Sequence, residues 1–234
     1  MEKKIYNLII LDESGSMETI KPQAITGLNE TLQTIKSAQE MYENQSHFVT
    51  LVSFNTNRVK TIYDCCPINS TKGLSNRDYQ PNACTPLYDA MGISLTKLKT
   101  EVKDEDKVLV TIITDGYENA SQEYSGKAIA QLVEELKTKG WIFAYIGANQ
   151  DVEKVAASMG IKHSLFYGAD MEGVRKMFKR ENLSRRQLYC CMDEGIDARK
   201  LSEREYFVDM NKVNTKDTLT EKKEEKKKKK WWWF

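Results

Sequence analysis

The order of apolar and amphipathic segments in this 234-residue chain predicts an α/β fold, with helices on both faces of a doubly wound, mostly parallel, six-stranded sheet. Three observations carry that expectation. Short apolar runs of strand length alternate with longer stretches of helical period for most of the chain. The first and fourth of those runs are greasy throughout, as strands buried on both faces must be. Both also end abruptly in an aspartate followed by a polar, glycine-containing loop.

The first strand is IYNLIIL (5–11). A helix follows from about Ile20, because Ile25, Leu28, Leu32 and Ile35 recur at three- and four-residue steps. HFVTLVSF (47–54) is the second strand, and RVKTIYD (58–64), after the turn NTN, alternates as an edge hairpin partner would. A long polar connection from Pro67 to Pro86 suggests a binding loop, since unstructured connections of that length are uncommon in compact domains. A helix over 87–102 leads to the strand KVLVTIIT (107–114), and a helix over 125–139, closed by Gly140, leads to WIFAYIGA (141–148). A helix over 152–159, a short strand in HSLFYG and a helix over 171–180 complete the pattern, which is Rossmann-like.

Beyond Asn182 the periodicity weakens, so the expected organisation is a domain over 1–182 and an extension over 183–210, in which ARKLSEREYF could form a last short helix. Residues 211–234 are a charged tail whose composition reads as disordered. The net charge of +1 hides an asymmetry: EKKEEKKKKK (221–230) carries +4, which leaves about −3 for the rest and no sign of a nucleic-acid-binding body. No signal peptide is legible, and no window reaches the roughly 20 apolar residues of a membrane span. The five cysteines form two vicinal pairs and one single, Cys84; reduced thiols in a cytoplasm are the simplest account.

In an open parallel sheet, ligands bind outside the carboxyl ends of the strands. Three segments deliver oxygen donors there. Asp12, Ser14 and Ser16 follow the first strand, with a two-residue spacing that turns them to one side and Gly15 permitting a tight path. Thr85 comes from the long polar connection and Asp115 from the end of KVLVTIITD. Five carboxylate and hydroxyl donors, without imidazole or thiolate, suit a hard divalent cation: Mg²⁺ first, with Mn²⁺ or Ca²⁺ as alternatives.

DESGS (12–16), Thr85 in TPLYDA and Asp115 in TDG together resemble the metal-ion-dependent adhesion site of von Willebrand factor A (VWA) domains, in the right order over roughly residues 5–180. The resemblance implies a VWA fold, with Ser14, Ser16 and Thr85 as direct ligands and Asp12 and Asp115 as direct or water-mediated ones. It also implies a partner protein whose Asp or Glu completes the coordination. ITDGYENAS and WIFAYIGANQDVEKVAASMGI look most like bacterial cytoplasmic VWA proteins of the tellurium-resistance, stress or defence type.

Blander roles compete with these. Asp12 and Asp115 could each be a helix cap, though capping requires no convergence of five donors. Glu13 and Glu118 read as solvated neighbours, Asp89 as a structural hydrogen bonder, Cys65 and Cys66 as buried apolar side chains, and Trp141 as core. Zinc finds little support, because only His47 and His163 are available beside the cysteines and no CxxC occurs. No nucleophile–base pair, GxGxxG or P-loop is present. The expectation is therefore a non-enzymatic, metal-dependent docking module; the alternatives are a metal-dependent hydrolase or a membrane-tethered scaffold. Lys226, Lys227, Lys228, Lys229, Lys230, Trp231, Trp232, Trp233 and Phe234 offer a second contact, either a partner's pocket or an anionic membrane surface.

Overall fold

A computed structural model of the chain describes residues 2–148, 151–196, 200 and 205–212. The elements run β1 (Lys3–Asp12), α1 (Lys21–Met41), β2 (Gln45–Asn55), β3 (Arg58–Pro67), α2 (Leu87–Glu101), β4 (Lys107–Thr114), α3 (Gly126–Thr138), β5 (Ile142–Gly147), α4 (Val152–Ser158), β6 (His163–Phe166) and α5 (Met171–Asp193). Short 3-10 turns at Gly15–Ile20 and Ile68–Ser70 complete them.

The sheet has six strands in the order β3-β2-β1-β4-β5-β6. It is mixed: the pairs β1–β2, β1–β4, β4–β5 and β5–β6 are parallel, whereas β2–β3 is an antiparallel hairpin at one edge. β3 follows β2 after a tight turn, and a connection that short can only reverse the chain. The hairpin is irregular, with register shifts between Val49 and Leu51 and between Leu51 and Val52, and a left-handed backbone at Cys65 (φ 44°).

Because β1 is covered on both sides, its successive side chains enter two separate cores. Ile5, Ile9 and Leu11 pack with Leu28, Leu32 and Ile35 of α1 and Val174, Met177 and Phe178 of α5. Leu8 and Ile10 face Leu87, Met91 and Leu95 of α2, Ile129 and Val133 of α3, and Ala156 of α4. Gly27 lets α1 and α5 close up, since a Cβ there would lie 2.0 Å from the Phe178 ring. Trp141 is buried, and Gly140 (φ 84°) follows α3 as its helix-ending residue.

α5 departs from the sequence expectation. It does not end near Arg180 but continues to Asp193, so the divide expected at residue 182 falls inside the helix. The apolar period fades there because the buried positions are polar. Arg185 lies wholly buried, its guanidinium donating to Glu181 Oε1 at 2.6 Å, Asn7 Oδ1 at 2.9 Å, Tyr189 Oη at 3.1 Å and Thr111 Oγ1 at 2.8 Å. Tyr206 joins from the 205–212 segment, donating to Glu181 at 3.1 Å. Glu181, Asn182, Ser184 and Arg185 thus interrupt the apolar stripe between Phe178 and Leu188, and the helical period cannot be followed across the gap. The expected last helix, ARKLSEREYF, lies largely outside the described residues, and so does the expected tail over 211–234, of which only 211 and 212 are described.

Among the described residues no helix is long and apolar enough to cross a membrane. No disulfide joins the five cysteines; Cys65 and Cys66 are half-buried rather than buried, and Cys84 is exposed. They hold no metal-type cluster, since among the described residues no group of three or more His, Cys, Asp and Glu comes together.

Candidate metal centre

The parallel register explains how residues so far apart in sequence meet. Leu11 of β1 lies opposite Ile113 of β4, so Asp12 and Asp115 leave neighbouring strands at the same edge. The chain winds from β1 to β2 on one side and later returns to place β4 on the other. The crevice between β1 and β4 is therefore the switch point of the sheet, the place where α/β folds bind ligands.

Asp12 is buried, and both its oxygens are engaged. Oδ1 accepts the Ser14 amide at 2.8 Å and Oδ2 accepts the Thr114 hydroxyl at 2.6 Å. Those bonds turn the chain sharply after β1 and present Ser14 and Ser16 side by side, their hydroxyl oxygens 3.2 Å apart. Ser16 then donates to Asp115 Oδ1 at 2.6 Å, joining the two strand ends. Thr85 arrives from the strap between β3 and α2, and its hydroxyl would lie 3.6 Å from a Cβ placed at Gly116, the residue after Asp115. All five residues singled out from the sequence thus come to one place.

The strap is held at several points. Gly15 donates to the Ala83 carbonyl at 3.0 Å, the Asn82 amide to the Glu13 carbonyl at 2.9 Å, and the Tyr79 hydroxyl to the Asp12 carbonyl at 2.6 Å. Thr85 itself is clamped by Asn119, which accepts its amide at 2.9 Å and donates to its carbonyl at 3.2 Å. Ala83 carries a left-handed backbone (φ 63°) two residues before Thr85. A non-glycine residue held there stores on the order of 1 kcal/mol of strain, which the bonds around it must offset.

Three carboxylates serve the loops around the centre. Glu13, expected to be solvated, is fully buried: it accepts Ser53 Oγ at 2.7 Å and the Gln80 amide at 2.5 Å, with Arg58 at 3.7 Å. It therefore ties β1, β2 and the strap together. Glu118, also expected to be solvated, accepts the amides of Tyr88, Ala120 and Ser121 at 2.7–3.0 Å and so folds the loop after β4. Asp89 has the structural bonding expected of it, accepting the amides of Gln122, Glu123 and Tyr124 at 2.8–2.9 Å. Glu13 and Thr114 escaped sequence reading because a Glu in a polar loop looks solvated and a Thr ending a strand looks like filler. The one signal available was the adjacency of Thr114 to Asp115.

Burial lifts the Asp12 carboxyl to about 6; hydrogen bonds from Thr114 and Ser14 pull it back, and the nearby Asp115 charge adds to the rise. Asp115 is raised too, chiefly by burial, against the stabilising Ser16 hydroxyl. Two part-desolvated carboxylates with hydroxyls between them form an oxygen-only donor set that a hard divalent ion fits, because its charge would offset what burial costs them. Ser14, Ser16, Thr85, Asp12 and Asp115 are the residues that would hold it. The centre opens outward through Gly15 and Ser16, both exposed, beside Tyr117, which is 56% exposed.

No family model matches this chain, and no curated protein matches it in sequence. Solved structures do resemble it. The PilB minor pilin from Streptococcus sanguinis superposes with a TM-score of 0.56 at 16% identity, covering 81% of this chain and 63% of that one. The pilus adhesin SpaC from Lactobacillus rhamnosus GG gives 0.57 at 14%, covering 80% and 30%. A von Willebrand factor type A protein from Catenulispora acidiphila gives 0.55 at 13%, covering 79% and 43%. The chain spans less than two thirds of each of these proteins. With strand order, helix layers and these likenesses together, the domain has a VWA-like α/β fold.

Proposed function

We propose that this chain is a non-enzymatic docking module with an adhesion-type metal site, whose bound divalent cation captures an Asp or Glu side chain of a partner protein. Mg²⁺ is the favoured ion, with Mn²⁺ and Ca²⁺ as alternatives. Ser14, Ser16 and Thr85 are its direct ligands; Asp12 and Asp115 act directly or through water. The observation that carries this reading is the Ser16–Asp115 contact at 2.6 Å, which gathers oxygen donors from separate segments at the β1–β4 crevice. Hydroxyl ligands are weak donors, so an ion held this way stays electrophilic and attracts one more carboxylate.

A docking role also agrees with what surrounds the centre. The exposed Ser16 and Tyr117 give a partner a polar contact and an aromatic one on the same rim. Both histidines are buried away from it: His47 lies near the start of β2 against the Tyr189 ring, and His163 opens β6. One of the similar structures is described as a pilus adhesin, which is in keeping with a binding task. The setting we infer is a bacterial stress, signalling or defence system in the cytoplasm, with the Lys226–Phe234 tail as a second contact that raises avidity.

The test is a Mn²⁺ titration followed by water-proton relaxation, then capture of partners with and without chelator. One saturable site is expected, lost together with partner capture when Ser14→Ala and Ser16→Ala are combined. Unchanged metal binding in that variant would refute the site, and chelator-resistant capture would refute metal-dependent docking.

A further inference from the structure

A second cavity, of about 510 Å³, opens between β6 and the first turns of α5. It lies within the range of small-ligand sites, roughly 300–1,000 Å³. Leu165, Tyr167 and Met177 are buried side chains that form its floor. The Tyr167 hydroxyl is spent on the Thr114 carbonyl at 3.3 Å, which leaves the ring as an apolar surface. Phe166 and Met210 also line it, 61% and 38% exposed. Gly173 shapes the back: a Cβ there would lie 2.1 Å from the Gly168 carbonyl oxygen, so the start of α5 rides directly on the loop from β6.

The rim has one sign of charge. Arg175, Lys176, Lys179 and Arg180 all line the cavity. Against them stand Glu172, which holds Lys176 at 2.8 Å, and Asp170, whose carboxylate caps α5 through the Gly173 amide at 2.7 Å. Arg180 is occupied, donating to the Val208 carbonyl at 2.9 Å with its guanidinium over the Phe207 ring. Arg175 and Lys179 form no ion pair with a described carboxylate. A greasy groove with Arg175 and Lys179 at its mouth, the former also within electrostatic reach of Glu172, matches a ligand that is apolar along its body and anionic at one end.

We propose that this groove binds a single-chain amphiphile with a carboxylate head, of the free fatty acid type, its chain over Leu165 and Met177 between Phe166 and Met210 and its head between Arg175 and Lys179. The groove shares no lining residue with the metal centre.

Calorimetric titration of the full chain with sodium decanoate, below its micelle concentration, tests this. One saturable site is expected, with affinity rising about fourfold per methylene from octanoate to dodecanoate. Phe166→Asp, Met210→Asp and the pair Arg175→Glu with Lys179→Glu should each weaken decanoate at least tenfold; all four positions are at the surface or the groove mouth, and circular dichroism checks that the fold survives. Decyltrimethylammonium, with the head charge reversed, should bind at least tenfold more weakly. Equal binding of the two head groups, or decanoate affinity unchanged in all three variants, would overturn the proposal. So would an absence of decanoate binding combined with dimerisation that Phe166→Asp abolishes, which assigns the groove to a second copy. An absence of decanoate binding that Trp231→Ser, Trp232→Ser and Trp233→Ser together convert into binding assigns it to the tail, with the same consequence.

Discussion

Replacing Asp12 by Asn should stabilise the domain in chelator and remove its response to Mg²⁺. Burial lifts the Asp12 carboxyl from 3.8 to about 6 in the folded domain. A carboxyl whose folded value lies above its unfolded one contributes stability below the unfolded value and loses it as pH rises through the folded one. Between pH 3.8 and about 6 the metal-free protein therefore loses stability, and by pH 7 the loss amounts to roughly 3 kcal/mol, at about 1.36 kcal/mol per pK unit. Asn is isosteric, keeps an oxygen for the Ser14 amide and carries no charge to desolvate, so Asp12→Asn should regain up to about that amount at pH 7 in EDTA. Its NH₂ can donate to the Thr114 hydroxyl, reversing the present bond. With Mg²⁺ at a hundred times its dissociation constant, the native protein gains about 2.7 kcal/mol and the variant gains nothing, so the stability gap between them nearly closes. Urea unfolding at pH 7, in EDTA and in Mg²⁺, reads all four values. A variant less stable than the native protein in EDTA, or one that Mg²⁺ stabilises equally, would refute the reasoning.

Three further outcomes follow from buried groups elsewhere. Arg185→Met should cost about 3–5 kcal/mol, because Glu181 would be left buried without its cation, whereas adding Glu181→Met should recover most of the loss; urea unfolding of the two variants measures the difference. Glu13→Met leaves the Ser53 hydroxyl and the Gln80 amide without their acceptor, so it should lower stability by about 1–3 kcal/mol and weaken Mn²⁺ binding about 10- to 100-fold through the loosened strap, as a metal titration would read. His47 is held neutral, lowered to about 3 by burial and by Arg185. The unfolded chain takes up that proton at about 6.5 and the folded domain does not until about 3, so stability should fall as pH drops through this window. The slope from this group is at most about 1.4 kcal/mol per pH unit, and it should flatten in His47→Gln.

Most of the secondary structure was legible because the elements obey local rules. β1 and β4 are continuous apolar runs, α1 keeps its three- and four-residue steps, and Gly140 ends α3. The edge hairpin was legible from the short turn between β2 and β3, and with it the antiparallel strand that makes the sheet mixed. Asp12, Ser14, Ser16 and Asp115 were legible because they stand in short motifs at strand ends, and Thr85 because it sits in TPLYDA at the close of the long polar connection, just before α2. The rear half of α5 was not, since Glu181, Ser184 and Arg185 fill core positions with polar atoms that look like surface.

Sequence alone determined which oxygen atoms this protein could gather and the strands that carry them, because hydrophobic period and turn residues act over a few neighbouring positions. Tertiary structure decided that Asp12 lies behind the serines with both oxygens engaged, that Glu13 is a buried tie, and that Arg185 pins α5 to the sheet. It also opened the groove beside β6. The reason is physical: the burial of a carboxylate or guanidinium depends on partners contributed from far along the chain, so its environment exists only once those segments have met.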